Sequence, residues 1–581
     1  MKITNNLFKL FLFVGVLSLS SCETLDLNQT DDPSQLPASQ LDPVYVFNNV
    51  QLTLPDFVNS ANSFTQRVTR QFAMTNGTSY DNAFAPVDFD DNWTTGYLML
   101  NAIKSIEPKA TENNQTFILG ASKVIRCYVL MTMVDMYGNI PYSEALQGNA
   151  NLTPKYDDSE SVYAGIYHEL DDAINYLNIV DGSQGSLVAR DLYYGSGNEG
   201  SPSASKWIVL ANTLKFKMLN NARLAGSFGD VNVVSEMNNL LSADLIDSEA
   251  EDFAFRYGTE RDLPNSRHPQ YNDHYEFGAG AYIANYFFWT VAEEKGFTGS
   301  NADPREAYYF FKQVNLTTNN ATAQTVPCRF LTRPAYYGND EYASFYDPSI
   351  RSAYCLSDIS SLGNAYLGRD HGDASGIPLD SDLRTVVGVY PAGGLIGPPE
   401  NVNSGTNAGL KGGLGEGIMP IVLSSYVHFM KAEAILTLGL PGDARTELET
   451  AITQSIHKTT NLLPQYAPGQ PKAPTASTVA TQTTNYLNFV LGRYDVSSPA
   501  DKLQIIIKEF YIASWGNGIE PYNNYRRTGY PSNFQPTLEE NPGEYYRTAY
   551  YAGASVNNNP KAPSNVRTKR VFWDLGTTEL H

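Results

Sequence analysis

The stretch from Phe117 to Leu146 constrains this chain more than any other. Apolar residues Phe117, Ala121, Val124, Ile125, Tyr128 and Val129 recur at helical spacing, and Met131, Met133 and Met136 widen the stripe towards its end. A helix apolar on so much of its circumference is a core helix and needs other helices around it. Gly138 supplies a stop, and Pro141 fixes an extended exit through Tyr137, Gly138, Asn139, Ile140 and Tyr142.

The chain supplies partners in order. Pro43 to Gln71 reads as one or two helices, and Phe72 to Trp93 as a loop rich in Asn, Asp and aromatics. Trp93 opens a helix with Tyr97, Leu100 and Ile103. Val162, Ile166, Leu170, Ile174 and Leu177 form an amphipathic helix capped by Asp157 or Ser159. Trp207, Leu210, Leu214, Met218 and Ala222 make another. Ile421 to Leu438 stops at Gly439 and Pro441, Asp443 caps the helix of Leu448, Ala451, Ile452 and Ile456, and Leu503, Ile506, Ile507 and Phe510 complete the set. Pairs with Ala432, Ala434, Ala444 and Ala451 at their crossings look like tetratricopeptide-type units, although a clean period of about 34 residues is lacking.

The expected fold class is mainly α, with tetratricopeptide-like helix pairs as a scaffold at 44–225 and the remaining pairs and a C-terminal segment at 418–581. Between them, 226–417 reads as an irregular, aromatic-rich ligand-binding insertion. Long irregular stretches inside a compact protein usually carry function.

The N-terminus reads as an address. Lys2 and Lys9 precede the apolar run Leu10 to Leu19, which is too short to span a bilayer, and Leu19-Ser20-Ser21-Cys22 closes it. Small residues directly before a cysteine make 1–21 a lipoprotein signal, with Cys22 becoming the lipidated first residue. An ordinary signal peptide with an incidental cysteine is the competing reading. Residues 22–43 are a polar, Pro-containing tether that holds the body off the lipid surface.

Removal of 1–21 takes away two lysines and no acid, so the net charge moves from −21 to −23. Scattered Lys and Arg on so acidic a chain exclude a nucleic-acid footprint. Cys127 falls in the core helix. Cys328 and Cys355 lie in irregular sequence and form the candidate disulfide, given an oxidising compartment.

Several motifs in this order carry a resemblance. They are the lipoprotein cysteine, the core helix with Tyr137 to Tyr142, and Trp207 leading into Ala211-Asn212-Thr213-Leu214-Lys215. Asp303-Pro304-Arg305 before Tyr309-Phe310, Gly368-Arg369-Asp370-His371-Gly372, and Lys431-Ala432-Glu433-Ala434 follow. Trp515-Gly516-Asn517-Gly518 before Arg526-Arg527-Thr528-Gly529-Tyr530-Pro531 closes the set. Together they resemble the SusD/RagB family of outer-membrane lipoproteins of Bacteroidetes. The resemblance implies a helical scaffold holding a ligand-binding half. It also implies a SusC-like TonB-dependent barrel as partner, outward-facing capture of glycans or, in some members, peptides, and no catalysis. It leaves the ligand open.

Sugar rings present an apolar face and a rim of hydroxyls, so they call for aromatic platforms beside amide, carboxylate or guanidinium groups. Three places fit. The loop before the second helix offers Tyr80, Phe84 and Trp93 among Asp81, Asn82, Asp88 and Asp91, and the family resemblance implies that this loop lines the ligand site. Tyr282, Tyr286 and Trp289 form one helical stripe, and Tyr336 and Tyr337 lead a Gly-Asn-Asp loop. Core packing competes with the platform reading in each place, most strongly at Trp93 and Trp289. Asp370, His371 and Asp373 invite a metal reading, but a structural turn with Arg369 paired to a carboxylate is the expectation. Arg526 and Arg527 are expected to tie the C-terminal segment down by ion pairs.

Nucleophile-elbow, His-Glu-x-x-His, phosphate-loop and zinc-type cysteine motifs are missing from the sequence. The leading expectation is therefore a lipid-anchored glycan-capture protein without a required cofactor, leaving room for a structural calcium. Peptide capture, a surface glycoside hydrolase with two facing carboxylates, and a lid without ligand contact are the alternatives.

Overall fold

The structure, a computed structural model, describes residues 41–179, 190–195, 202–278, 280–292, 294–295, 302–313, 366–374, 384–402, 408–466, 473–539 and 541–580. Cys22, Cys328, Cys355, Tyr336 and Tyr337 lie outside the described residues, as does most of the tether.

The protein is mainly α-helical. Helices α1 (Pro43–Val68), α2 (Asp90–Glu112), α3 (Thr116–Tyr137), α4 (Ser159–Asn178) and α5 (Ala204–Asn221) pack each on its predecessor. After the short α6 (Val233–Leu240) and α7 (Asn285–Ala292), the chain returns as α8 (Ser424–Leu438), α9 (Ala444–Tyr466), α10 (Ala476–Val496), α11 (Pro499–Ala513) and α12 (Ile519–Thr528). The α8–α9 pair joins the first set through α8 on α5, and α12 lies against α1.

Helix α3 is the hub. It is long and apolar enough to cross a membrane, but its apolar surface is buried inside the protein. Of its 22 residues, only Lys123 and Arg126 escape burial. A Cβ at Gly120 would stand 2.6 Å from Leu177 Cγ, so the missing side chain lets α3 and α4 approach closely. Gly138, at φ 79°, ends the helix where an L-residue would be strained.

Local chemistry corrects some sequence expectations. Asp158, not Asp157 or Ser159, caps α4 by accepting from the Glu160 N–H. The helix expected from Ile421 begins at Ser424, and Ile421 and Val422 end a strand, Ile418–Val422. Among the described residues, six short strands form three antiparallel ribbons: β1 (Ser227–Phe228) with β2 (Val231–Asn232), β3 (Phe253–Arg256) with β6 (Ile418–Val422), and β4 (Phe310–Phe311) with β5 (Val386–Val387). The β3–β6 ribbon ties the middle of the chain to the start of α8, where the Ser424 N–H donates to Asp252 Oδ1 at 2.7 Å. Tyr282 precedes α7 rather than sharing its stripe with Tyr286 and Trp289.

The C-terminal segment is held by buried polar networks. Arg527 and Arg223 both donate to Glu433, at 2.6 and 2.7 Å, and all three side chains are buried. Arg526 works differently from expectation: its guanidinium donates to the carbonyls of Arg547 and Asp135 at 2.6 and 2.7 Å. It thus binds backbone rather than a carboxylate, and only Arg527 of the pair makes the expected ion pair.

Candidate ligand-binding cleft

Two adjoining chambers open beside the exit of α3 and share Pro141, Ala145 and Leu146 as a common wall. The chain reaches this wall directly from the Gly138 stop. Asp157 then fixes it, accepting from the backbone N–H groups of Tyr142 and Ser143 at 3.0 and 2.8 Å. Leu146 sits at φ 59°, a left-handed conformation that costs a branched side chain of order 1–3 kcal/mol. Its carbonyl accepts from Lys104 Nζ at 2.8 Å, which helps hold that conformation.

The first chamber, ≈ 200 Å³, is aromatic and amide-rimmed. Trp93 and Tyr97, one turn apart on α2, form one wall, and Leu152, which is 74% exposed, stands at the mouth. Trp93 packs edge-on against Tyr137 at 5.1 Å and stacks on Tyr156 at 6.1 Å, so its ring is rigidly placed. The Tyr97 hydroxyl donates to the Pro141 carbonyl at 2.8 Å while its ring remains partly exposed. Opposite lies the turn Gly553–Asn559, pinned to the start of α2 because the Ala554 N–H donates to Asp90 Oδ1 at 2.8 Å. That turn presents Ser555, Asn558 and Asn559. Asn559 donates to the Pro154 carbonyl at 2.8 Å and Asn558 to the Ala554 carbonyl at 2.7 Å. The exposed Asn558 amide keeps its oxygen for a ligand donor.

The second chamber, ≈ 300 Å³, is charged. Lys104 and Glu107 come from α2, Lys123 and Arg126 from α3, and Glu169 from α4. Arg126 Nε donates to Glu169 at 2.8 Å, and the Tyr142 hydroxyl donates to the other Glu169 oxygen at 2.6 Å. A Cβ at Gly165 would fall 2.6 Å from the Tyr142 hydroxyl, so glycine there makes room for that ring against α4. Burial works to raise the Glu169 carboxyl, but Arg126 and Lys123 outweigh it and leave it below the ordinary value. Burial and Glu169 push the Tyr142 phenol up, so it stays a neutral donor.

A third cavity, ≈ 290 Å³, lies between α10 and α11. Four of its charges pair, Lys508 with Glu294 at 2.9 Å and Lys295 with Glu509 at 3.2 Å. It reads as the open side of a structural ion network.

Residues 34–332, just over half of the chain, match a family described as starch-binding and associating with the outer membrane, and 418–566 match the SusD and RagB outer-membrane lipoproteins. The chain belongs to the SusD/RagB family. No curated protein matches it. Among solved structures, it shares its fold with a SusD homologue from Bacteroides fragilis at 19% identity and TM-score 0.60, covering 92% of this chain and 99% of that one. A chitin-binding SusD homologue from Flavobacterium johnsoniae matches at 18% identity and TM-score 0.60, covering 92% and 98%. An outer-membrane protein from Bacteroides vulgatus, described as probably involved in nutrient binding, matches at 18% and 0.63, covering 92% and 100%.

Within this SusD/RagB fold, most of the aromatic platforms expected from sequence are packing residues. Tyr80 is fully buried, accepting from Arg70 at 2.8 Å and lying 3.2 Å from His371 Nε2. Phe84 is wedged edge-on against Phe64 and Tyr546, at 5.1 and 5.6 Å. The Tyr282 ring is covered by the guanidiniums of Arg369 and Arg384, 4.2 and 4.0 Å from its centroid. Trp289 is buried against Tyr286 with Lys508 Nζ 5.7 Å over its ring. Burying a large ring is worth more than holding it in water unless a ligand covers it, and here the protein supplies the cover. Trp93, also mostly buried, borders the first chamber.

The turn at Gly368 to Asp373 is structural. Asp370 accepts from Asn285 and Gln535, each at 2.9 Å, and among the described residues no cluster of His, Cys, Asp and Glu could hold a metal. The sequence reading missed Leu152, Ser555, Asn558, Asn559 and the cations of the second chamber as site residues. The one available signal was Tyr97, a helical turn after Trp93.

Proposed function

We propose that this protein captures a glycan at the paired chambers and delivers it to a SusC-like TonB-dependent transporter in the outer membrane, to which lipid on Cys22 anchors it. The observation that carries this reading is the wall of Trp93 and Tyr97 facing Ser555, Asn558 and Asn559. A rigid aromatic surface opposite amide groups suits a sugar ring, whose face is apolar and whose rim donates and accepts hydrogen bonds. The family description and the chitin-binding relative support the same ligand class. Binding without chemistry is favoured because Glu169, one of two carboxylates in the second chamber, is committed to Arg126 and Tyr142. A glycosidase needs two working carboxyls, and with Glu169 committed this chamber has only Glu107 left.

The test is affinity electrophoresis of the protein through gels containing neutral and acidic polysaccharides, with a reducing-sugar assay on the same mixtures. Retardation without sugar release is expected, and Tyr97→Ala should weaken it about tenfold, as loss of ~1.4 kcal/mol of ring contact requires. Sugar release would overturn the non-catalytic reading. Retardation unchanged in both Tyr97→Ala and Asn558→Ala would place the ligand elsewhere.

The anchor is tested separately. Cys22→Ala should move the protein from the membrane fraction to the soluble one without changing glycan retardation. A membrane-bound Cys22→Ala protein would remove the lipid from the argument.

A further inference from the structure

The hub helix α3 buries 20 of its 22 residues, and the two it leaves accessible, Lys123 and Arg126, are both cations lining one chamber. In a chain with net charge −21 that is an unexpected choice of side chain, since neutral residues would satisfy a solvent-facing stripe. Lys104 adds a third cation from α2. The opposing charges are Glu107 and Glu169. Glu169 is already used by Arg126 and Tyr142, whereas Lys123 makes no ion pair or hydrogen bond to any described residue. Lys104 has only the Leu146 carbonyl. Arg126 spends its Nε on Glu169, and its Cζ lies 5.9 Å from the Tyr142 ring centroid. Free donors thus outnumber the free carboxylate, Glu107, which remains to accept from hydroxyls.

Resting on the capture reading above, we infer that the glycan is acidic: the aromatic chamber takes a sugar ring, and the cationic chamber takes the carboxylate or sulfate of an adjoining unit. The shared wall of Pro141, Ala145 and Leu146 makes the two chambers neighbours, so one oligosaccharide can occupy both. The protein's overall negative charge repels such a ligand at long range, but over more than about 8 Å that repulsion is screened at physiological salt. Contact with Lys123, Lys104 and Arg126 then decides the affinity.

Isothermal titration of the full chain in detergent, with acidic oligosaccharides and their carboxyl-reduced counterparts, tests this. Uronate oligosaccharides, sulfated oligosaccharides and the neutral, carboxyl-reduced forms are the probes. At least one acidic set is expected to bind about tenfold or more tightly than the neutral form, and which set does so identifies carboxylate or sulfate. Lys123→Met, which keeps the aliphatic stem, should abolish that preference, whereas Tyr97→Ala should weaken acidic and neutral binding alike. Equal binding of acidic and neutral forms overturns the acidic assignment and leaves capture standing. An acidic preference that survives in both Lys123→Met and Lys104→Met overturns the assignment to this chamber. Failure of every form to bind overturns both readings.

Discussion

Replacing Glu433 by Ala is expected to remove about 3–5 kcal/mol of stability, because it strands two buried guanidiniums. Arg223, in the turn after α5, and Arg527, on α12, converge on this one carboxylate, and Asn220 donates to it at 3.2 Å. The three side chains carry two positive charges against one negative, so the arrangement is tolerable only while the carboxylate is ionised. Burial pushes the Glu433 carboxyl up, but the two arginines outweigh this and hold it at about 2. Its folded value therefore lies below the ordinary 4.5, so its contribution is complete above pH 4.5 and disappears as pH falls towards 2. Urea unfolding at pH 7 should show the Glu433→Ala midpoint shifted down with the slope unchanged. Glu433→Gln keeps the acceptor oxygen but not the charge, and should fall between the variant and the parent. A Glu433→Ala protein with the parent midpoint would show that the arginines find other partners.

What the sequence disclosed was set by how local the determining forces were. Helix α3 was legible because its apolar periodicity is a property of consecutive residues, and Gly138 marks its end without help from the rest of the chain. The family was legible for a related reason, since its motifs survive as an ordered series of short signatures. The strand at Ile418–Val422 was not legible: its apolar run suits a buried helix equally well, and pairing with Phe253–Arg256 from far away decides the matter. Helix α10 was unread for the opposite reason. Its Thr-rich sequence has a weak apolar face, and it is held by Tyr486, Val490, Leu491 and Tyr494 against α9 and α11.

Site residues were harder still. Composition shows that aromatics are abundant, but not which ones the fold leaves uncovered. Tyr282 illustrates the difficulty: it sits in an uncharged local segment, yet Arg369 and Arg384 arrive from distant positions to cover it. The cleft is assembled from α2, the exit of α3, α4 and a turn near residue 555, and no local pattern joins those four. Lys123 and Arg126 were visible only as interruptions of an apolar stripe. Their meaning comes from the burial of every other residue on that helix.

Acidification from pH 6.5 to 5 is expected to cost about 3 kcal/mol through two histidines alone, His268 and His274. Burial drives His268 down to about 3 and His274 down to about 4, from an ordinary value of 6.5. Above pH 6.5 both are neutral in the folded and the unfolded chain and contribute no pH dependence. Below it the unfolded chain takes up protons that the folded protein refuses, so stability falls until the folded values are reached. The contacts explain the refusal. His268 Nδ1 accepts from the Gln270 N–H at 3.1 Å, a role a protonated nitrogen cannot fill, and Tyr257 closes over the ring at 4.8 Å. His274 Nε2 lies 3.0 Å from the Ala281 carbonyl, which assigns it the proton, and its ring stacks on Phe72 at 6.4 Å. Carboxyls raised by burial, such as Asp135, act in the opposite direction, so the total slope is not diagnostic. The diagnostic comparison is the parent against His274→Asn, with unfolding midpoints measured at pH 7 and pH 5. The variant keeps a donor for the Ala281 carbonyl and should lose roughly half of the histidine-linked drop, about 1.5 kcal/mol. An identical drop in both proteins would mean that His274 exchanges its proton freely in the folded state. The turn it sits in, from Pro269 to Gly278, would then be open to water well before the helical scaffold unfolds.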